Sequence, residues 1–196
     1  MSLESKELPM TPPKIVEFLN RVPIVGLTFG AGDSELGREI RSLPIEALFA
    51  PHKIIDAESA RLVQAGLLTM VDQFDAAHAI AQEIETPSGS YWHGIQHRRE
   101  PDPFNAKYWF RRVGRHPIYD VLAQEAKRLV AEDAAFASWP EAEWLSAGKT
   151  WSSERFVDLC AAAAADPQRD ELYRRIQRRE CELLVDYCAR AAVGSA

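Results

Sequence analysis

The sequence lacks any run of about 18 apolar residues, so it predicts no transmembrane helix. Residues 1–14 also lack the basic-then-apolar order of a secretory signal. The chain has three cysteines, an odd number, and no Cys-x-x-Cys pair, so neither a disulfide framework nor a cysteine-bound structural zinc is expected. These absences predict a cytoplasmic protein with reduced thiols.

Several sequence motifs for catalysis are missing too. There is no glycine-rich phosphate loop, no Gly-x-Ser-x-Gly elbow and no His-Glu-x-x-His motif. Cys160, Cys181 and Cys188 lie among apolar neighbours in helical patterns, which is typical of inert core thiols rather than nucleophiles. The net charge of −6 disfavours non-specific binding to nucleic acid.

Length and hydrophobic periodicity predict one all-α domain. The 196 residues contain 46% hydrophobic residues, enough for a single sizeable core. We expect a flexible N-terminus at 1–11 and one helical domain at 12–192, a bundle of about five to seven helices built from antiparallel hairpins. The apolar stretch 22–32 is the only candidate strand, and one strand cannot form a sheet.

Capping residues and apolar spacing place the individual helices. The clearest is a long helix from Asp56 to Ile84, unless Gly66 interrupts it. A turn is predicted at 86–90. Four further helices are expected from about Pro12 to Asn20, from Tyr91 to Glu100, from the Asp102 cap to near Gly114, and from Pro117 to about Phe136. Another begins at the Ser152 cap, where Trp151 and Phe156 can form a hydrophobic staple. The last runs from the Asp166 cap to about Ala192.

Residues 90–116 combine features that seldom occur together. They hold three of the five histidines and six of the eighteen aromatic residues. The segment contains six Lys or Arg residues and two acidic residues, so its net charge is +4, whereas the rest of the chain is acidic. A solvated loop would not carry so many aromatics and an ordinary core would not carry so many ionisable groups, so we expect a half-buried polar site.

Histidine spacing suggests where this site lies. His78 and Gln82 are four residues apart on the apolar stripe of the long helix, and His93 and His97 are four apart on the next helix. An antiparallel hairpin whose turn is centred between residues 87 and 88 would pair His78 with His97 and Gln82 with His93. Three imidazoles and a carboxamide would then converge at one interior point.

Such a cluster permits three interpretations. Three imidazoles suit a divalent transition metal, Zn, Fe, Mn or Ni, with an open coordination position. Glu100 or Glu180 could add a carboxylate, and Glu100 could act as general base in an enzyme. The alternatives are a hydrogen-bonded polar core without a ligand, and a pocket for an organic molecule. Because a carboxylate at a helix C-terminus opposes the helix dipole, we also expect Glu100 to have an arginine or a ligand as partner.

Neighbouring residues complete the candidate site. Arg111 and Arg112 could hold the carboxylate or phosphate of a small anionic ligand, or could brace their helix against acidic residues. Asn105 could complete a helix cap or face the site. The candidate ligand-binding residues are Gln82, Arg98, Asn105, Trp109, Arg111 and Arg112; the candidate metal ligands are His78, His93 and His97; and the candidate catalytic residue is Glu100.

The segment 75–122, with its central motif YWHGIQHRREPDPFNAKYWFRRVGRHP, resembles an uncharacterised family of small all-helical bacterial proteins with looser fungal relatives. Segments 151–160 and 176–188 are similar to later motifs of that family. The matching positions are Asp75, His78, Gln82, Trp92, His93, His97, Arg98, Glu100, Asp102, Asn105, Ala106 and Trp109. Ala77 and Cys181 depart from the pattern, which has a small hydroxyl residue and a tryptophan there. The resemblance implies a helical domain but no agreed activity.

Two functions follow as hypotheses. The first is a binding protein or enzyme with a semi-buried His/Glu/Arg site for a divalent metal or small anionic ligand. The second is a helical interaction module in which the histidines are structural, and Trp109, Phe110 and the basic patch dock a partner. A homodimer is compatible with either function, whereas a membrane or nucleic-acid partner is not expected.

Overall fold

A computed structural model describes residues 11–32, 34–132, 136–148, 150–163 and 166–195. Within these ranges the chain forms eleven α-helices and one 3₁₀ helix, and no β-strand. The α-helices are α1 (Pro13–Arg21), α2 (Glu35–Ser42), α3 (Ile45–Phe49), α4 (Ala57–Thr69), α5 (Phe74–Ala81), α6 (Pro87–Arg99), α7 (Pro103–Val113), α8 (Ile118–Ala131), α9 (Ala142–Ala147), α10 (Ser153–Ala162) and α11 (Pro167–Ala192). The all-α class is confirmed, but the predicted number of helices is wrong because the long helix is divided and the short helices α2, α3 and α9 were not recognised.

Helix α6 lies at the centre of the molecule. Every residue from 88 to 99 is buried, including two histidines and two arginines. It packs on α4, α5 and α7, while the 26-residue α11 packs on α4 and α8. Because α6 has no solvent-facing side, its polar groups must find partners inside the protein. This requirement creates the polar clusters described below.

The predicted long helix is two helices, and the break is not at Gly66. It begins as expected, with the Asp56 carboxylate accepting hydrogen bonds from two backbone N–H groups. It ends after Thr69, and Asp72 takes a left-handed conformation with φ of 61°. Arg99 holds the break in place, since its guanidinium donates to the Asp72 carboxylate at 2.5 Å and to the Thr69 carbonyl at 2.6 Å. This contact joins residues distant in sequence, so helical periodicity does not reveal it.

Gly66 instead permits close packing between helices. A Cβ atom at this position would lie 2.4 Å from Cζ2 of the buried Trp92, far inside van der Waals contact. The absence of a side chain therefore lets α4 lie directly against the indole of α6.

The predicted turn at 86–90 is also wrong, because these residues begin α6. Thr86 is the N-cap, and its hydroxyl accepts from the backbone N–H of Gly89 at 3.1 Å. Pro87 occupies the first helical position, where its missing N–H costs nothing. The connection between α5 and α6 is thus about one helical turn closer to the N-terminus than expected.

Most other helix starts agree with the sequence prediction. Asp102, Ser152 and Asp166 each cap a helix by accepting from a backbone N–H two or three residues later. The Trp151 and Phe156 rings pack with centroids 5.0 Å apart, as the predicted staple requires. Helix α8, however, ends at Ala131 rather than near residue 136, where a short 3₁₀ helix stands instead.

Residues 1–10 lie outside the described part of the chain, so a flexible N-terminus stays a prediction for them. Thr11 is buried, and its hydroxyl donates to the Asp186 carboxylate at 2.5 Å. The apolar stretch 22–32 is irregular and is held by Arg99, which donates to the carbonyl groups of Gly26 and Thr28. Across the described residues, no helix has the length and apolarity to cross a bilayer.

Candidate functional site

Three imidazoles converge between α5 and α6. His78 comes from α5, and His93 and His97 lie one turn apart on α6. One nitrogen from each ring lies within 4.8 Å of the others, and the Nε2 atoms of His78 and His93 are 2.8 Å apart. The His93 and His97 rings stack with centroids 4.7 Å apart. The structure therefore brings the three candidate metal ligands together.

The pairing across the two helices differs from the prediction. His78 was expected opposite His97, yet it hydrogen-bonds to His93 and meets the His97 ring edge-to-face at a centroid distance of 5.2 Å. Gln82, expected opposite His93, is exposed at the C-terminal end of α5. Because α6 starts at Pro87, the connection between α5 and α6 lies closer to the N-terminus than predicted. The pairing of residues across the two helices therefore differs from the prediction by about one turn.

His97 is held by two polar neighbours. Oε2 of Glu100 lies 2.8 Å from its Nδ1, and Nδ2 of Asn105 lies 3.1 Å from its Nε2. The expectation of an arginine partner for Glu100 is therefore wrong, since the partner is an imidazole. Asn105 faces the site, while the cap of its helix is supplied by Asp102.

Trp109 closes one side of the cluster. Its indole stacks on the His93 ring with a centroid separation of 3.9 Å. The guanidinium of Arg112 lies 5.2 Å from the centroid of the same indole. A half-buried aromatic layer thus separates the imidazoles from the surface of α7.

Burial keeps two of the imidazoles neutral. Burial, together with the neighbouring His78 and His97, lowers the pKa of His93 to about 3. Burial is also the largest cause of a lowered pKa for His78, with His97 as a second cause. A neutral imidazole has a free lone pair, which is the form that binds a metal ion.

One nitrogen of the cluster has no hydrogen-bond partner. Nδ1 of His93 is buried and has no donor or acceptor within reach among the residues that the structure describes. A buried polar atom without a partner costs about 1–3 kcal/mol. Buried polar atoms of Trp92, Gln96 and Arg98 on the same helix also have no partner among the described residues.

Arg98 and Glu180, both considered for the site, belong to a separate buried pair. The Arg98 guanidinium donates to Oε2 of Glu180 at 2.6 Å, and the Tyr91 hydroxyl donates to Oε1 at 2.9 Å. Arg98 also lies over the Phe156 ring at 4.7 Å. Both charges are thus used in joining α6 to α11, and the proposal that Glu180 adds a carboxylate to the histidines is wrong.

The two arginines of α7 have different roles. Arg111 donates to the Glu154 carboxylate at 2.9 Å and so braces α7 against α10. Arg112 rests on the rings of Tyr108 and Trp109. Phe110, expected to dock a partner, is buried and cannot do so.

Two features of this region were not recognised in the sequence. Phe104 is 82% exposed and Tyr108 is 45% exposed, although both are large aromatics beside the site. A third buried imidazole, His116, lies outside the cluster and has its Nε2 3.1 Å from the hydroxyl of Ser88. Nδ1 of His116 also accepts from the Ile118 N–H at 3.4 Å, at the start of α8.

The thiols agree with their expected structural role. Cys160, Cys181 and Cys188 are buried, and burial raises the pKa of each to about 12. At neutral pH these groups are protonated and unreactive.

No family model matches the chain, and no curated protein or solved structure matches it either. The resemblance of segment 75–122 to a bacterial helical family therefore stays a prediction, and the function must be argued from the site itself.

Proposed function

We propose that the protein binds one divalent transition metal ion at His78, His93 and His97, and that this ion is the centre of a ligand-binding or catalytic site. The convergence of one nitrogen from each ring within 4.8 Å carries the proposal. Zinc, iron and nickel commonly take imidazole ligands, and a nearby carboxylate extends the choice to manganese.

The spacing of the nitrogens is close to what a metal requires. Zinc–nitrogen bonds of about 2.0–2.1 Å in a tetrahedral arrangement separate the ligand atoms by about 3.3 Å. The Nε2 atoms of His78 and His93 are 2.8 Å apart, slightly closer than this, and the whole set lies within 4.8 Å. To bind zinc, the His78–His93 separation would lengthen by about 0.5 Å and the widest separation would shorten by up to about 1.5 Å.

Glu100 supplies a second argument. When Nδ1–H of His97 donates to the Glu100 carboxylate, Nε2 of His97 is the acceptor nitrogen. It receives the Asn105 amide at 3.1 Å, and would bind a metal ion once that amide moves aside. Metal-binding histidines are commonly oriented in this way by a carboxylate on the other ring nitrogen. We therefore assign Glu100 as a positioning residue for His97, in place of the general base suggested by the sequence alone.

Burying three imidazoles side by side is costly, and Nδ1 of His93 has no partner among the described residues. Metal coordination by the cluster would offset the cost of burying three imidazoles side by side.

Three histidines leave at least one coordination position for water or for a ligand. A bound metal ion would lower the pKa of such a water and polarise a bound oxygen atom, as hydrolytic enzymes require. The side chain of Glu100 is 45% exposed, so this side of the cluster is close to solvent. A small molecule could therefore approach the site from there.

Metal analysis of untagged protein tests the proposal. Wild-type protein should carry about one equivalent of zinc, iron, manganese or nickel, or take it up after incubation with these ions. The variants His93→Gln and His97→Gln should lose it while keeping the helical circular-dichroism spectrum. His116→Gln is the matched control, since it removes a buried imidazole outside the cluster.

A second candidate is the helical interaction module, favoured by the exposed rings of Phe104 and Tyr108. If the folded wild type binds none of the four ions, and the triple variant His78→Ala/His93→Ala/His97→Ala loses much of its stability, the histidines are structural. The metal proposal would then be wrong.

A further inference from the structure

The exposed side chains of α7 form a continuous row beside the imidazole cluster. Phe104, Tyr108 and Arg112 are four residues apart and so lie on one face of the helix. Each immediately precedes a residue of the inner face, where Asn105 contacts His97 and Trp109 contacts His93. The outer row therefore lies next to the inner face that contacts the histidines.

Contacts link the two rows directly. The Tyr108 ring meets the Trp109 ring edge-to-face with centroids 5.3 Å apart. The guanidinium of Arg112 lies 6.0 Å from the Tyr108 centroid and 5.2 Å from the Trp109 centroid. The Arg112 guanidinium thus lies near two rings, and the residue is exposed at the surface.

Arg112 differs from the other cations of this segment in its partners. Lys107 donates to Asp158 at 2.5 Å, Arg111 to Glu154 at 2.9 Å, and Arg115 to Asp120 at 3.1 Å. Arg112 has no carboxylate partner among the residues described by the structure, and its guanidinium lies near two aromatic rings. A guanidinium without a carboxylate partner can bind the carboxylate or phosphate of a ligand through two N–H groups.

We infer that Phe104, Tyr108 and Arg112 form a binding surface beside the proposed metal site, separated from it by the Trp109 indole, and that its ligand is a small anionic molecule with an aromatic or flat apolar part. Arg112 binds the anionic group, and the rings of Phe104 and Tyr108 cover the apolar part. This inference rests on the proposed function for its connection to the metal, but the binding surface consists of protein side chains alone. It also distinguishes between the two arginines, because Arg111 is engaged with α10 and Arg112 is not.

Phenyl phosphate is a suitable probe, with inorganic phosphate and benzyl alcohol as partial analogues. Isothermal titration calorimetry of the full-length, metal-loaded protein should show tighter binding of phenyl phosphate than of either analogue. Arg112→Gln should weaken that binding by roughly ten-fold or more, as expected for loss of a charge-assisted contact. The neighbouring Arg111→Gln is the matched control and should change it by less than about two-fold. Phe104→Ala should weaken phenyl phosphate more than inorganic phosphate.

The inference is overturned if phenyl phosphate does not bind, or if Arg111→Gln and Arg112→Gln have equal effects. It is also overturned if Phe104→Ala converts a dimer to a monomer in sedimentation, because the row is then a subunit interface. Metal content measured on the same samples separates the two proposals. If the protein binds metal but does not bind phenyl phosphate, only this inference is wrong. If phenyl phosphate binds in an Arg112-dependent way to protein that takes up no metal, only the proposed metal site is wrong.

Discussion

The guanidinium of Arg98 and the carboxylate of Glu180 form a fully buried ion pair, with Nη2 and Oε2 2.6 Å apart. The pair joins the central helix α6 to α11 and receives a further hydrogen bond from Tyr91. Breaking a buried pair by removing one charge leaves the other uncompensated in a medium of low polarity.

Glu180→Gln should therefore lower the free energy of unfolding by about 3–5 kcal/mol. Urea denaturation followed by circular dichroism measures this change. Asp120→Asn is the control, because it removes one charge of the exposed pair formed with Arg115. That substitution should change stability by less than about 0.5 kcal/mol. Equal effects of the two substitutions would show that the buried pair does not stabilise the fold.

Gly66→Ala should destabilise the protein even though alanine favours the helix by about 1 kcal/mol over glycine. The new Cβ would lie 2.4 Å from Cζ2 of Trp92, and overpacking of this kind costs about 1–3 kcal/mol. In a Trp92→Phe background, which lacks that part of the indole, the same substitution should cost less. A double-mutant cycle by chemical denaturation measures the coupling, and additive effects would contradict the predicted clash.

His116 should make stability depend on pH below neutrality. Burial lowers the pKa of this imidazole to about 4, whereas the unfolded chain has the ordinary value of about 6.5. Between these values the unfolded state binds more protons, so the stability present above pH 6.5 is lost as the pH falls toward 4, by up to about 1.4 kcal/mol per unit. Between pH 5 and 6.5, the denaturation midpoint of His116→Gln should change less with pH than that of metal-free wild type. The same pH dependence in both proteins would contradict the prediction.

Glu100→Gln should weaken metal binding by about 10–100-fold, the usual effect of losing a carboxylate that orients a metal-binding histidine. Competition with a chromophoric chelator measures the metal affinity. Stability should change little because the Glu100 side chain is 45% exposed. The control is Glu154→Gln, which lies outside the cluster and should leave the affinity unchanged. Unaltered affinity in Glu100→Gln would show that His97 does not depend on this carboxylate.

Local chemistry determined a substantial part of the fold. The all-α class, the caps at Asp56, Asp102, Ser152 and Asp166, and the hydrophobic staple at Trp151 all follow from residues within a few positions of one another. Such features are decided by backbone N–H groups and their nearest acceptors, so a sequence pattern is enough to place them.

Histidine spacing also indicated the site. Residues four apart on a helix share a face whatever the rest of the chain does, so the convergence of the three imidazoles could be expected. Their register could not be expected, because it depends on where α6 begins. The sequence TPSGS is compatible with either a turn or a capped helix start, and burial of α6 selects the helix.

Only the tertiary structure decided the remaining features, and in each case the reason is a contact between distant residues. Arg99 stabilises the break at Asp72 by donating to its carboxylate. Arg98 donates to Glu180 and Arg111 donates to Glu154, so neither arginine is available to the histidine cluster. Neighbouring arginines have the same chemistry in the sequence. The three-dimensional position of an acceptor determines which cation is paired, and it leaves Arg112 near two aromatic rings and without a carboxylate partner among the described residues.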